Sequence, residues 1–134
     1  MKSVSTLINT TLFGLSIICS SVAVAVEKLE DNSKLIGKWV LEEVAPRSLG
    51  GERIPEDRIW EFTKDGKMSS SGYNRILKKN TTQEMTYEIK DGNIVSPVPG
   101  RTNKVDTYSV YEIKEDSMIL MRGVNTGFYI FRRK

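Results

Sequence analysis

Met85-Thr86-Tyr87-Glu88-Ile89 is the stretch on which the fold turns. Three apolar side chains alternate with Thr86 and Glu88, the period of a strand with one face buried. Asp91-Gly92 comes next as a tight-turn pair, and Ile94-Val95 resumes the pattern beyond it. Working outward, Ile59-Trp60-Glu61-Phe62-Thr63 alternates in the same way and ends in Lys64-Asp65-Gly66-Lys67, a hairpin turn that leads into the Ser-rich return Met68–Tyr73. Leu35–Val44 forms a first strand, because Gly37 and the β-branched residues weigh against a helix. On the far side come Val105–Ile113, Met118–Met121 and Phe128–Phe131, with turns at Glu115-Asp116-Ser117 and Gly123–Gly127. Pro46, Gly50-Gly51 and Pro55 mark residues 45–57 as a loop, and Pro97, Pro99 and Gly100 mark 96–103 as another.

About eight strands joined by hairpin-length connections predict an all-β protein. The expected form is an antiparallel up-and-down meander closing into a small barrel, since a Greek key needs longer crossovers and closure removes sticky edges. The whole chain has 134 residues, which suits one such domain.

The first 25 residues read as an address. Lys2 precedes an uncharged run from Ser3 to Ala25 containing Leu12-Phe13-Gly14-Leu15-Ser16-Ile17-Ile18, and Ala23-Val24-Ala25 supplies small residues at alternate positions. This is the pattern of a secretory signal peptide over residues 1–25, with a polar arm over 26–34 and the barrel domain over 35–134. The expected location is periplasmic or secreted. Two rivals are a retained membrane span, diluted by Asn9, Thr10, Thr11 and several serines, and lipidation at Cys19, whose preceding Ser16 and Ile18 fit a lipobox poorly.

Cleavage after Ala25 would leave residues 26–134, a chain of 109 residues with 19 basic and 17 acidic side chains, no cysteine and no histidine. That composition excludes a disulfide framework, a zinc site, a thiol nucleophile and the commonest general base. No Gly-x-Ser-x-Gly or Ser-x-x-Lys motif occurs. Glu42-Glu43 would point to opposite faces of a regular strand, and Glu56-Asp57 and Glu115-Asp116 lie in or beside turns. The expectation is a non-enzyme with no catalytic residues, no metal and no cofactor. A charge excess this small gives no case for nucleic acid, and no stable membrane anchor is expected after processing.

Gly37-Lys38-Trp39 has the Gly-x-Trp form of the first strand in lipocalins, and the downstream series, ending in Tyr129-Ile130-Phe131-Arg132-Arg133, resembles the short bacterial lipocalin-like domains. The resemblance implies a barrel in which Trp39 plugs one end beneath an arginine of the last strand, Arg132 or Arg133. Arg132 is the expected structural partner of Gly37 and Trp39, although both faces of the last strand are apolar and leave its parity open. Lipocalins are longer, with a flanking helix and disulfides for which this chain has no room.

Trp60, Phe62, Met85, Tyr87 and Tyr111 are the candidate ligand-binding residues, with Ile89 beside them: an apolar cup whose Tyr hydroxyls could orient a ligand. The plainer reading is that they are simply core. The expected function is an exported binding protein for a small apolar or aromatic molecule. The alternative is a periplasmic protein-binding module of the inhibitor or immunity type, with a filled barrel core, that binds another exported protein through the 45–57 and 96–103 loops, with Arg47, Arg53, Arg58 and Arg101 as contacts.

Overall fold

The computed structural model describes residues 27–123 and 127–134. The expected signal peptide, Cys19 and the centre of the last turn lie outside the described residues. Nine strands succeed one another: β1 (Gly37–Ala45), β2 (Ile54–Phe62), β3 (Lys67–Asn74), β4 (Lys79–Thr86), β5 (Glu88–Lys90), β6 (Asn93–Pro97), β7 (Val105–Ile113), β8 (Ser117–Arg122) and β9 (Phe128–Arg133). They form one antiparallel sheet in the order β4-β3-β2-β1-β9-β8-β7-β6-β5. The expected meander is present, and the first strand pairs with the last.

The two outer strands, β4 and β5, run one after the other in the same direction, divided at Tyr87. The alternation of residues 85–89 is therefore split between two strands. β4 pairs with β3 and β5 with β6. Where they meet, the buried Ser96 hydroxyl of β6 donates to the Thr86 carbonyl at 2.7 Å. The sheet curls round to this corner and leaves the upper part of β4 without a neighbour on its second edge: a half-barrel.

Other boundaries shift. β2 begins at Ile54, so the first long loop covers only residues 46–53, and Pro55 sits inside the strand. Pro97 ends β6, and the second loop spans 98–104. The polar arm is not loose: Glu27 bridges to Val110, the Leu29 amide donates to the Gly92 carbonyl at 3.0 Å, and Leu29 and Leu35 are buried.

Inward positions obey the alternation. Trp39 and Leu41 pair across to Trp60 and Arg58 of β2, and Trp60 continues to Ser70 of β3 and Gln83 of β4. From the other side come Ile94, Tyr108, Val110, Met118, Leu120 and Phe131, all buried. One cluster of packed apolar side chains results.

Two bulges break the alternation. The register slips between Leu41 and Glu43, so Glu42 and Glu43 do not take opposite faces as a regular strand would require. Both stand on the outer side, where Glu42 pairs with Arg132 at 2.6 Å and Glu43 with Arg53 at 3.6 Å. The slip between Val110 and Glu112 makes Tyr111 the extra residue on β7.

Candidate functional site

Because every strand except β5 reverses the one before it, the β1–β2, β3–β4, β6–β7 and β8–β9 connections share one end of the half-barrel. The N-terminal arm and the remaining turns share the other. The second end is closed. Trp39 is fully buried there, with its indole Nε1 donating to the Leu35 carbonyl at 2.9 Å. Arg133 lies over the Trp39 ring, its guanidinium carbon 4.0 Å from the centroid, and donates to the carbonyls of Glu115 (2.8 Å), Ile36 (2.9 Å) and Lys34 (3.1 Å). Register explains the choice: Arg133 is the Cα partner of Trp39, whereas Arg132 pairs with Val40 on the outer face. Arg133 is thus the cap, in place of Arg132. Gly37 is required beside it. Its φ is +123°, and a Cβ there would stand 3.0 Å from the Arg133 Nη1.

Phe62 and Tyr87 belong to this closed end. Their rings meet edge to face at 5.3 Å. The Tyr87 hydroxyl donates to the Thr63 carbonyl at 2.7 Å and accepts from Asn32 Nδ2 at 3.0 Å, so the protein itself occupies it. Burial raises its pKa, partly offset by the Asn32 hydrogen bond.

Trp60 sits at mid-height. Its ring contacts those of Phe131 (5.1 Å), Tyr108 (5.6 Å), Tyr129 (6.0 Å) and Phe62 (6.3 Å). This aromatic stack fills the centre of the half-barrel. Within it the indole Nε1 of Trp60 is buried and has no hydrogen-bond partner among the described residues. An orphaned donor of this kind costs about 1–3 kcal/mol. Met85 packs half-buried at the edge of the cluster. Tyr111 is not part of the interior: the bulge turns it outward, where its ring meets Phe128 edge to face at 5.5 Å.

Above Trp60, toward the open end, the inward face becomes polar, and composition alone does not reveal this. Arg58, expected on a loop surface, instead lies in β2 in the inward register. Its Nε donates to the buried Ser70 hydroxyl at 3.1 Å and its Nη2 to the Ser70 carbonyl at 3.4 Å. Arg53 folds back onto the Leu49 carbonyl and Glu43, while Arg47 and Arg101 remain exposed on their loops.

Across the opening, Arg122 donates to Asp106 at 2.9 Å and also hydrogen-bonds Tyr129, two contacts that raise its pKa further. The Tyr108 phenol beside them is pushed up to about 12, first by burial and then by the Asp106 charge. Gln83 and Thr81 complete this level from the uncovered part of β4. Gln83 is exposed although it shares the inward register of Met85. The signal that marks these residues is strand parity counted from Trp60, which places Arg58, Ser70 and Gln83 on one side.

The largest surface cleft among the described residues, open and of about 920 Å³, lies at the open end of β2–β4 and takes in Arg58 and Thr81 together with Asp57, Ile59, Tyr73 and Thr82. A cleft of about 600 Å³ lies at the closed end beside Lys34, Ile113, Glu115 and Arg133, and one of about 440 Å³ lies beside Glu61, Ser69, Glu84 and Met85.

The sequence matches no protein-family model and no curated protein. Among solved structures it is similar to a lipocalin-like protein from Bacteroides uniformis, with a TM-score of 0.60 and 22% identity over 75% of this chain and 99% of that one. It is also similar to an uncharacterized protein from Bacteroides eggerthii, with a TM-score of 0.59 and 18% identity over 74% and 98%. At these identities the likeness establishes the fold.

Proposed function

We propose that the protein binds a small, largely apolar or aromatic molecule at the open end of the half-barrel, against the Trp60–Tyr108–Tyr129 stack and beneath the uncovered inner face of β4. The ligand enters between β4 and β6–β7, where Gln83 is accessible and no strand covers the edge. The aromatic rings supply apolar contact, and Arg58, Ser70 and Gln83 supply the few polar groups that orient a ligand in such sites. Catalysis is not part of the proposal. Export to the periplasm or beyond belongs to it, resting on the composition of residues 1–25 alone.

The single observation that carries this reading is the Trp60 indole N–H, a buried donor with no acceptor in a protein whose other indole is satisfied. A carbonyl, ether or phenol oxygen on the ligand would answer it once binding parts the rings that bury it. The likeness to a lipocalin-like structure supports the reading at the level of fold only.

Fluorescence tests it directly. In a Trp39→Phe variant the remaining emission comes from Trp60. Titration with indole derivatives, flavonoids and medium-chain ketones should shift or quench that emission at micromolar concentrations. Replacing Arg58 with Met should weaken the response while leaving the fold intact. An emission that none of these ligand classes alters would overturn the proposal.

A further inference from the structure

The open end has a second property that does not depend on anything being held inside. The large apolar side chains left exposed among the described residues are Ile54, Tyr73, Ile76, Leu77 and Val105, and all five stand at this end. The most prominent pair is at the tip of the β3–β4 hairpin, where Ile76 is 90% exposed and Leu77 56%. Loops at this end are basic. Residues 75–79 read Arg-Ile-Leu-Lys-Lys, and loops 46–53 and 98–104 add four basic residues against one acidic. At the closed end the turns 63–66, 91–92 and 114–116 carry two basic and four acidic residues. With the N-terminal arm, Lys38, Arg133 and Lys134 included the closed end is close to neutral, so the basic excess of the chain is concentrated in the open-end loops, beside the exposed Glu56 and Asp57 of β2.

The hairpin tip is also built to enter a less polar medium. Asn74 Oδ1 accepts from the amides of Ile76 (2.9 Å) and Leu77 (3.0 Å), and Lys78 takes the left-handed conformation that closes the turn, with φ of 52°. Two backbone donors that would otherwise need water are already satisfied.

We infer that this end of the half-barrel docks reversibly on an anionic phospholipid surface, with Ile76 and Leu77 entering the headgroup–acyl boundary and Arg75, Lys78 and Lys79 resting among the phosphates. Charge complementarity and the apolar pair together match how amphipathic surfaces bind such membranes. Lysine favours this occupant over a protein partner, since it is depleted in protein–protein interfaces and frequent in basic membrane-contacting segments.

The test is co-sedimentation with vesicles of phosphatidylglycerol and phosphatidylcholine, and with phosphatidylcholine alone, at 50 and 500 mM salt. Protein is used in the form in which cells accumulate it, its first residue fixed by mass spectrometry, so that wild type and variants share one N-terminus. Binding should require phosphatidylglycerol and fall steeply at high salt. At roughly five-fold per basic residue, Arg75→Gln/Lys78→Gln/Lys79→Gln together should weaken it about 100-fold. Ile76→Ser/Leu77→Ser should weaken it about ten-fold or more. An Ile76→Trp variant adds an exposed indole to a protein whose own two are buried, and its emission should move to the blue on vesicle addition. Equal binding by wild type and both multiple variants, or binding to phosphatidylcholine alone as tight, would refute the inference. So would loss of a dimer, seen by sedimentation velocity, on Ile76→Ser/Leu77→Ser without any vesicle binding, which would assign the patch to a second copy of the chain.

Discussion

Replacing Arg133 with Met isolates the plug of the closed end. The change keeps a long apolar stem and removes the planar fork. The guanidinium lies 4.0 Å over the Trp39 ring, a contact worth about 0.5–2 kcal/mol. It also donates to three carbonyls, on the N-terminal arm and on the β7–β8 turn. These carbonyls can regain water when the fork is lost, so each hydrogen bond counts near the lower end of the net range, about 0.5 kcal/mol. The expected loss is about 2–4 kcal/mol. With an m-value of roughly 2 kcal/mol per molar, the middle of the usual range, the urea midpoint should fall by about 1–2 M.

Arg132→Met is the internal control. Its ion pair with Glu42 is outward, with side chains 67% and 38% exposed, so the loss should stay below about 1 kcal/mol. Arg133→Lys should fall between the two, keeping a cation near the indole without the planar fork that reaches three carbonyls. The assay is urea unfolding monitored by circular dichroism, with m compared across variants so that a change in the unfolded state is recognised. Equal losses at 132 and 133 would refute the assignment of the cap, and with it the use of cross-strand register to decide parity.

Three further outcomes rest on the same geometry. Gly37→Ala should destabilise by about 1–3 kcal/mol, because it forces a side chain into positive φ and brings a methyl against Arg133; a midpoint unchanged in urea would contradict this. Trp60→Phe removes the unpaired donor together with some ring volume, two effects of opposite sign, so stability should change by less than about 1 kcal/mol, whereas Trp60→Ala should cost about 3–5 kcal/mol. A loss above about 2 kcal/mol for the Phe variant would mean that the N–H has an acceptor in solution. Tyr108 holds its proton to about pH 12 in the folded state and to about 10 when unfolded. Its contribution is therefore complete below about pH 10 and is lost as pH rises toward 12; between pH 9 and 11 the decline should be about 1 kcal/mol, which Tyr108→Phe should largely abolish in urea titrations at pH 9, 10 and 11.

The legible and the hidden parts of this fold divide along a physical line. Period-two alternation specifies which residues form strands wherever one face is buried, and Trp60-x-Phe62, Tyr108-x-Val110, Met118-x-Leu120 and Phe131 are buried where that period places them. β4 is not legible above Met85, since Lys79 to Glu84 is polar on both faces. A strand whose inner face is uncovered carries no hydrophobic period, so the same fact that opens the half-barrel conceals the strand. Tyr111 and the paired glutamates are misplaced by alternation for a related reason. Each lies at a bulge, where one extra residue inverts the parity of its neighbours, and no local propensity in Leu41–Val44 or Val110–Ile113 announces it. Arg58 shows the limit from the other side. Pro55 and the acidic pair Glu56-Asp57 have the composition of a loop, so the arginine directly after them reads as surface. Only its pairing with Gly72, close to Ser70, brings its charge inside. Most of these misreadings bear on the open end or on a change of face; at the closed end alternation places Trp39 inside but leaves the parity of the last strand open, and cross-strand register selects Arg133 over Arg132. The half of the molecule best suited to meet a partner is therefore the half whose sequence is least periodic, because exposed inner faces, inward charges and apolar loop tips all abandon the pattern by which a strand is recognised.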